Sequence, residues 1–146
     1  MTNIFMETGK LGVLVDSDAL ISLIQSDNNQ HKLAKTVLLF LKEKNADQYI
    51  SPFTIPEVST MLSYRANQEI AKQFVISSQS KKLTTLEIPE EIRRKADQLF
   101  LAQTKKRTSY FDCVNLVLME LFRFDAIFSF DSIYKEHGFK LASDLL

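Results

Sequence analysis

The chain has 146 residues, 45% of them hydrophobic, with 18 lysines and arginines balanced by 18 aspartates and glutamates. That length supports one domain over residues 1–146, with a core that needs neither disulfides nor a structural metal. Zero net charge excludes a long-range field that draws in nucleic acid, so any polyanion has to be held locally.

Residues Met1–Thr8 lack the basic-then-apolar pattern of a signal peptide. No apolar stretch approaches the ~20 residues of a membrane span, so a soluble, cytoplasmic protein is expected. The lone Cys113 cannot form an intrachain disulfide, and its place beside the apolar run 114–118 reads as a buried thiol in a reducing compartment. Gly12-Val13-Leu14-Val15 is a short apolar run of the kind buried on both faces of a parallel sheet, and Asp16 ends it. A helix is expected from Ala19 to Gln25 and a turn at Asp27-Asn28-Asn29. A longer amphipathic helix follows, with Leu33, Val37, Phe40 and Leu41 on one face. Tyr49–Ser51 reads as the second strand, followed by helices over Ile55–Arg65 and Glu69–Ser78. A strand is expected over Leu83–Ile88, stopped by Pro89, and then a helix from Glu90 to Gln103. The last third repeats the alternation: helix Tyr110–Phe122, strand Ala126–Phe130 ending at Asp131, and a closing strand near Phe139–Leu141. The helix after Asp112 is apolar on most sides, which implies burial on several faces, a subunit interface among them. Strands alternating with helices imply an α/β fold around a parallel sheet.

That topology gives four separated acids a common destination. In an open parallel sheet the binding crevice lies beyond the carboxyl ends of the strands, where Asp16 and Asp131 both fall. Glu57 and Asp112 lie in the first turns of helices that start at the same edge. Asp125 precedes its strand and belongs to the opposite edge as a solvated turn residue. Each acid also has a purely structural reading. Thr54-Ile55-Pro56-Glu57 has the form of a capping box with Thr54 as N-cap, and Ser109-Tyr110-Phe111-Asp112 has the same form. Asp16 and Asp131 are also natural turn residues at strand ends. Together the four make an oxygen-only donor set, which is costly to bury unless a divalent cation compensates it.

These segments carry a family resemblance. Val13-Leu14-Val15-Asp16-Ser17-Asp18-Ala19-Leu20-Ile21 resembles the opening motif of PIN-domain ribonucleases. Ile50-Ser51-Pro52 with Glu57-Val58, then Ser109 through Asp112, then Phe128-Ser129-Phe130-Asp131 with Tyr134 and Gly138, resemble the three motifs that follow it in order. The resemblance spans about Val13 to Leu141, and the compact size is similar to that of VapC-type toxins. It implies a three-layer α/β/α fold with a central, mostly parallel sheet of about five strands. It also implies hydrolysis of RNA at a site where Asp16, Glu57, Asp112 and Asp131 hold Mg²⁺ or Mn²⁺, with Ser17 and Ser129 orienting them. The partners it implies are an RNA substrate, a cognate antitoxin and a second copy of the chain. Two positions depart from the usual pattern: Asp18 stands where many relatives carry a small uncharged residue, and Ser129 where threonine is more usual. Asp18 is expected to cap its helix rather than add a fifth carboxylate.

The histidines, His31 and His137, and Cys113 offer no zinc-like spacing, which leaves a hard cation as the matching metal. Among basic residues, Lys81-Lys82 and Arg93-Arg94-Lys95 are candidate phosphate contacts, and Lys105, Lys106 and Arg107 are the best placed because they immediately precede Ser109 and Asp112. Tyr110 and Phe111 are candidates to stack on unpaired bases, although core packing is expected for Phe111. Two other readings are consistent with the sequence. Asp16-Ser17-Asp18 spells the Asp-x-Asp start of haloacid-dehalogenase-type phosphatases, although the region around Asp131 lacks their paired acidic motif with glycine. A catalytically weak PIN scaffold that binds RNA or a protein partner is the other.

Overall fold

The computed structural model describes residues 9–146, and the expectation for Met1–Thr8 lies outside the described residues. Four short parallel strands form one sheet: β1 (Gly12–Val15), β2 (Asp47–Ile50), β3 (Thr84–Thr85) and β4 (Ala126–Phe128), in the spatial order β3-β2-β1-β4. The crossovers are α1 (Ser17–Ile24) and α2 (His31–Glu43), then α3 (Thr54–Arg65) and α4 (Gln68–Ser78), then α5 (Glu90–Leu101) and α6 (Tyr110–Phe122). A short α7 (Ile133–Glu136) and a 3₁₀ turn (Ala142–Leu145) close the chain.

Alternation along β1 builds the three layers. Val13 and Val15 pack with Ala34, Val37 and Leu41 of α2 on one face, whereas Leu14 packs with Ile92, Val114 and Leu118 of α5 and α6 on the other. All four β1 residues are therefore buried, which is why the segment reads as a continuous apolar run. The α3–α4 pair packs on α1 through a smaller core of Ile21, Val58, Leu62, Ala71 and Phe74. Residues Cys113 to Met119 are all buried within this chain, so the apolar character of α6 is accounted for without a subunit interface.

Strand order sets the position of the crevice. The chain leaves β1 toward β2 on one side, and β4 later pairs with β1 on the other, so the carboxyl ends of β1 and β4 form the topological switch point. Asp125, exposed at the opposite end, accepts from Gly12 N–H at 2.8 Å and so ties the start of β1 to the approach to β4.

Three expected strands are shorter than their apolar runs suggest. β4 stops at Phe128 because the next residues leave the ladder for side-chain partners: Ser129 Oγ donates to carboxylates, and Phe130 N–H donates to Asp18 at 2.8 Å. β3 retains only Thr84 and Thr85 in register because its neighbour β2 turns away at Ser51. The closing strand is reduced to one bridge, Ile127 with Leu141. No helix among the described residues is long and apolar enough to cross a membrane.

Arg123 closes α6 in the left-handed region at φ 53°, where a side chain costs roughly 1 kcal/mol and glycine is the usual occupant. Arg123→Gly is expected to raise the unfolding free energy by about 0.5 kcal/mol, after the extra freedom of glycine in the unfolded chain is subtracted. Urea denaturation of the variant beside the parent checks this.

Candidate functional site

Asp16 lies at the centre of the crevice. It follows β1 directly, has extended backbone and acts as the N-cap of α1, its Oδ1 accepting from Ser17 N–H at 2.8 Å. Only 5% of its surface is exposed. Both carboxylate oxygens are engaged: Oδ1 also accepts from Asn115 Nδ2 at 3.1 Å, and Oδ2 accepts from Ser129 Oγ and Tyr134 OH, each at 3.0 Å. These donors come from α6, the end of β4 and α7, so one side chain joins the two sides of the switch point.

Asp18 departs from expectation. It does not cap the helix, since Asp16 does; its Oδ2 instead turns inward to accept from Phe130 N–H and Ser129 Oγ, at 2.8 and 3.1 Å. It thereby pins the loop that carries Asp131, and its Oδ1 is buried without a hydrogen-bond partner. The physical reason is competition: the preceding aspartate already occupies the cap, which leaves Asp18 free to satisfy the backbone donor that β4 no longer pairs.

Glu57 also departs from the capping-box expectation. Phe53 occupies the N-cap position of α3 with no side-chain cap, and Thr54, the first helical residue, is buried with its Oγ1 3.2 Å from Ser51 Oγ. Ser51 Oγ takes over the local turn by accepting from Phe53 N–H. The Glu57 carboxyl, with no cap to make, lies half-buried within the influence of Ser17 and Asp112. At α6 the capping box does form. Ser109 Oγ accepts from Asp112 N–H, and Asp112 Oδ2 accepts from Ser109 N–H, both at 3.0 Å. Asp112 Oδ1 is left to face Tyr134 OH at 3.5 Å. Asp131 is exposed at the rim, where it forms a turn through Oδ1 to Ile133 N–H while its own N–H donates to Ser129 Oγ.

The electrostatics bring the five acids into one site. Burial pushes the Asp16 carboxyl up to about 8, reinforced by Asp18 and Asp112. Asp18 is raised to about 6, mainly by burial and further by Asp131. Glu57 is raised by burial and by Asp112, and Asp112 by burial and by Asp131. The charged neighbours that move these groups are other carboxylates. Hydrogen counting leads to the same conclusion. Ser129 has one hydroxyl hydrogen, yet its Oγ lies within hydrogen-bond distance of both Asp16 and Asp18. A proton on one of those two acids would complete both contacts when no cation is present.

Among the described residues, no three His, Cys, Asp or Glu side chains form a ready-made metal cage. The donor set nonetheless fits a hard divalent cation. Mg²⁺ keeps several waters and needs only one or two direct carboxylates, with substrate phosphate completing its shell. The unpartnered Asp18 Oδ1 is a buried oxygen of the kind such a cation satisfies. His31 and His137 are occupied with the carbonyls of Ser22 and Ile133, and Cys113 is buried.

The basic cluster lies on the loop that leads into α6. Lys105 forms an exposed ion pair with Glu136 at 3.0 Å, tying that loop to α7, whereas Lys106 and Arg107 are exposed without an ion pair among the described residues. Phe111 is 36% exposed and its ring meets Phe53 at 5.6 Å, so it is not the core residue expected from the sequence. Tyr110 donates its hydroxyl to Asp97 at 2.6 Å and packs edge-on to Phe100, which leaves it less available for stacking. Sequence reasoning missed Asn115 and the hydroxyl of Tyr134. The available signal was a carboxamide in the apolar run of α6, one helical turn after Asp112.

Comparison with known proteins bears on the family and the fold. The PIN domain family model matches residues 13–140. Among solved structures, the chain is similar to Mycobacterium tuberculosis VapC20, described as a sarcin-ricin loop cleaving toxin. The TM-score is 0.77 at 16% identity, covering 87% of this chain and 95% of that one. No curated protein sequence gives a match.

A chelated sample should reveal the raised carboxyls. Unfolded aspartates ionise near 4, whereas folded Asp16 and Asp18 hold their protons to about 8 and about 6. The folded state therefore binds more protons across that window, and stability falls as pH rises through it. With EDTA present, Tm is expected to be lower at pH 8 than at pH 5. Asp16→Asn, which cannot ionise, is expected to remove most of the drop; a wild-type Tm that rises over this range would contradict the assignment.

Proposed function

The chain belongs to the PIN-domain family, and from that premise we propose that it is a metal-dependent ribonuclease in which Asp16, Glu57, Asp112 and Asp131 hold Mg²⁺ or Mn²⁺. The observation that carries the reading is the convergence of mutually repelling carboxylates at the switch point, with Asp16 buried and raised by burial, Asp18 and Asp112. A structural core gains nothing from repulsion among carboxylates, whereas a divalent cation relieves it.

A bound divalent cation supplies the positive charge that admits a phosphodiester to this acidic crevice, and it polarises the phosphate and an attacking water. The protein residues have separate tasks. Asp16 is held rigidly by its four donors, and Asp112 presents Oδ1 while its other oxygen completes the helix cap. Asp131 and Glu57 approach from the exposed side of the crevice. Ser129 positions Asp16, Asp18 and the Asp131 backbone together, and Ser17 links Asp16 with Glu57. Asp18 serves as a fifth carboxylate of the site and as a brace for the Asp131 loop. Lys106 and Arg107 meet the RNA backbone at the rim, with Lys105 contributing once it parts from Glu136.

Membership of the PIN family counts against the phosphatase alternative, and one oxygen of Asp18, its expected acid/base, is taken by Ser129 and Phe130. The likeness to a protein described as an RNA-cleaving toxin supports reading this chain as a toxin with an RNA substrate and an antitoxin partner; the homodimer rests on the family resemblance, and the cytoplasmic location on the sequence alone. The family membership and the site also accommodate an inactive binding scaffold, which an RNA-cleavage assay separates from a nuclease.

Cleavage of structured RNAs, transfer RNA among them, with Mg²⁺ or Mn²⁺ against EDTA tests the reading. Asp112→Asn retains a side-chain oxygen for the Ser109 cap, so the fold is expected to persist while the metal-dependent rate falls on the order of 100-fold or more, the scale of losing one group that stabilises transition-state charge. No cutting by the folded, metal-loaded parent on any such RNA would favour the scaffold. Joint replacement of Lys106 and Arg107 by alanine is expected to flatten the salt dependence of RNA binding, by about 0.7 in log–log slope for each phosphate that is no longer neutralised. Binding isotherms at several salt concentrations, taken with the Asp112→Asn protein, measure it.

A further inference from the structure

We propose that Tyr134 and Asn115 are positioning residues that aim the Asp16 carboxylate at the divalent cation; the inference rests on the metal-dependent reading above. The two side chains form a closed triangle with Asp16. Asn115 Nδ2 donates to Asp16 Oδ1 at 3.1 Å and to Tyr134 OH at 3.2 Å, and Tyr134 OH donates to Asp16 Oδ2 at 3.0 Å. The two amide hydrogens go to Asp16 Oδ1 and Tyr134 OH, and the single hydroxyl hydrogen goes to Asp16 Oδ2, its nearer acceptor at 3.0 Å rather than Asp112 Oδ1 at 3.5 Å, so both carboxylate oxygens are held from one side. The amide orientation is set as well, since a reversed amide would place its oxygen against a carboxylate oxygen.

Stability alone does not account for the pair. Tyr134 is fully buried and Asn115 is 2% exposed, within a helix whose residues from Cys113 to Met119 are all buried. Asn115 Oδ1 has no hydrogen-bond partner, a desolvation cost that an apolar side chain of similar volume would avoid. Phenylalanine in place of Tyr134 would fill the same space and remove a hydroxyl wedged between Asp16 and Asp112, which lie 3.0 and 3.5 Å from it. The molecule thus retains two polar groups in its core at a point where their donors converge on the most buried acid of the site. Hydrogen bonds from behind a ligating carboxylate fix the direction of its remaining lone pairs and favour its charged form. Tyr134 OH also lies 3.5 Å from Asp112 Oδ1, so the bracket borders a second of the proposed ligands.

Tyr134→Phe deletes a single oxygen and keeps the ring, and Asn115→Leu removes the carboxamide and its unpartnered oxygen. Mn²⁺ affinity of both variants, of the parent and of Asp112→Asn is measured from free Mn²⁺ by electron paramagnetic resonance, and Tm is measured in EDTA. The expected result is a 10–100-fold weaker Mn²⁺ affinity in both variants. Tm in EDTA is expected to hold or rise for Asn115→Leu, and RNA cleavage by Tyr134→Phe to be partly restored at high Mn²⁺. Unchanged Mn²⁺ affinity in the folded variants would overturn the proposal, and a loss of Tm in EDTA alone would assign both residues to packing. A folded parent that binds no Mn²⁺ would refute the metal reading itself, an outcome separate from a parent that binds while the variants match it.

Discussion

Burying the carboxylate of Asp16 is the constraint around which the molecule is organised. A buried carboxylate without compensation is unfavourable, and here four donors from three other parts of the chain and the adjoining backbone offset part of that cost. To satisfy it, β4 must lie beside β1, α6 must turn Asn115 inward, and α7 must bring Tyr134 to the same point. The switch-point topology makes these approaches possible, because β1 and β4 end at one edge with no strand between them. The acid thus sets the tertiary arrangement as much as the surrounding apolar layers do.

Several residues serve structure and chemistry together. Asp112 gives one oxygen to the cap of α6 and leaves the other in the crevice. Asp18 replaces a lost ladder partner for Phe130 while adding negative charge beside Asp16. The Asp131 turn is continuous with Ser129, whose single hydroxyl hydrogen must be divided between two acids. The structural and functional readings of these acids are therefore not rivals. A carboxylate that ends a strand or starts a helix is already placed at the strand-end edge, where a parallel sheet forms its crevice.

Much of this was readable from residues. Continuous apolar runs identified β1, the centre of β4 and α6, and helical periodicity located α2, although Leu33 of the expected face is exposed and Ala34 packs in the core instead. The PIN resemblance rested on four acidic motifs in order along the chain. The sequence was less informative where a distant partner decided the outcome. Phe130 looks like strand until Asp18 takes its N–H, and Leu83–Ile88 looks like a full strand until β2 turns away at Ser51. Thr54 and Glu57 match a capping box, yet Ser51 forms the turn first. Asn115 was missed because one amide in an apolar helix has no periodic signature, and its meaning depends on Asp16, 99 residues earlier.

That spacing bears on how the protein is made. The donors that complete Asp16 lie 99, 113 and 118 residues downstream of it. During synthesis the β1 edge emerges well before its polar partners, which follow only after a further 99 to 118 residues have been translated. A nascent chain therefore carries the first acid long before it carries the arrangement that holds that acid in place. The crevice therefore matures late, once Tyr134 has followed Asn115 and Ser129 out, and not when β1 itself appears.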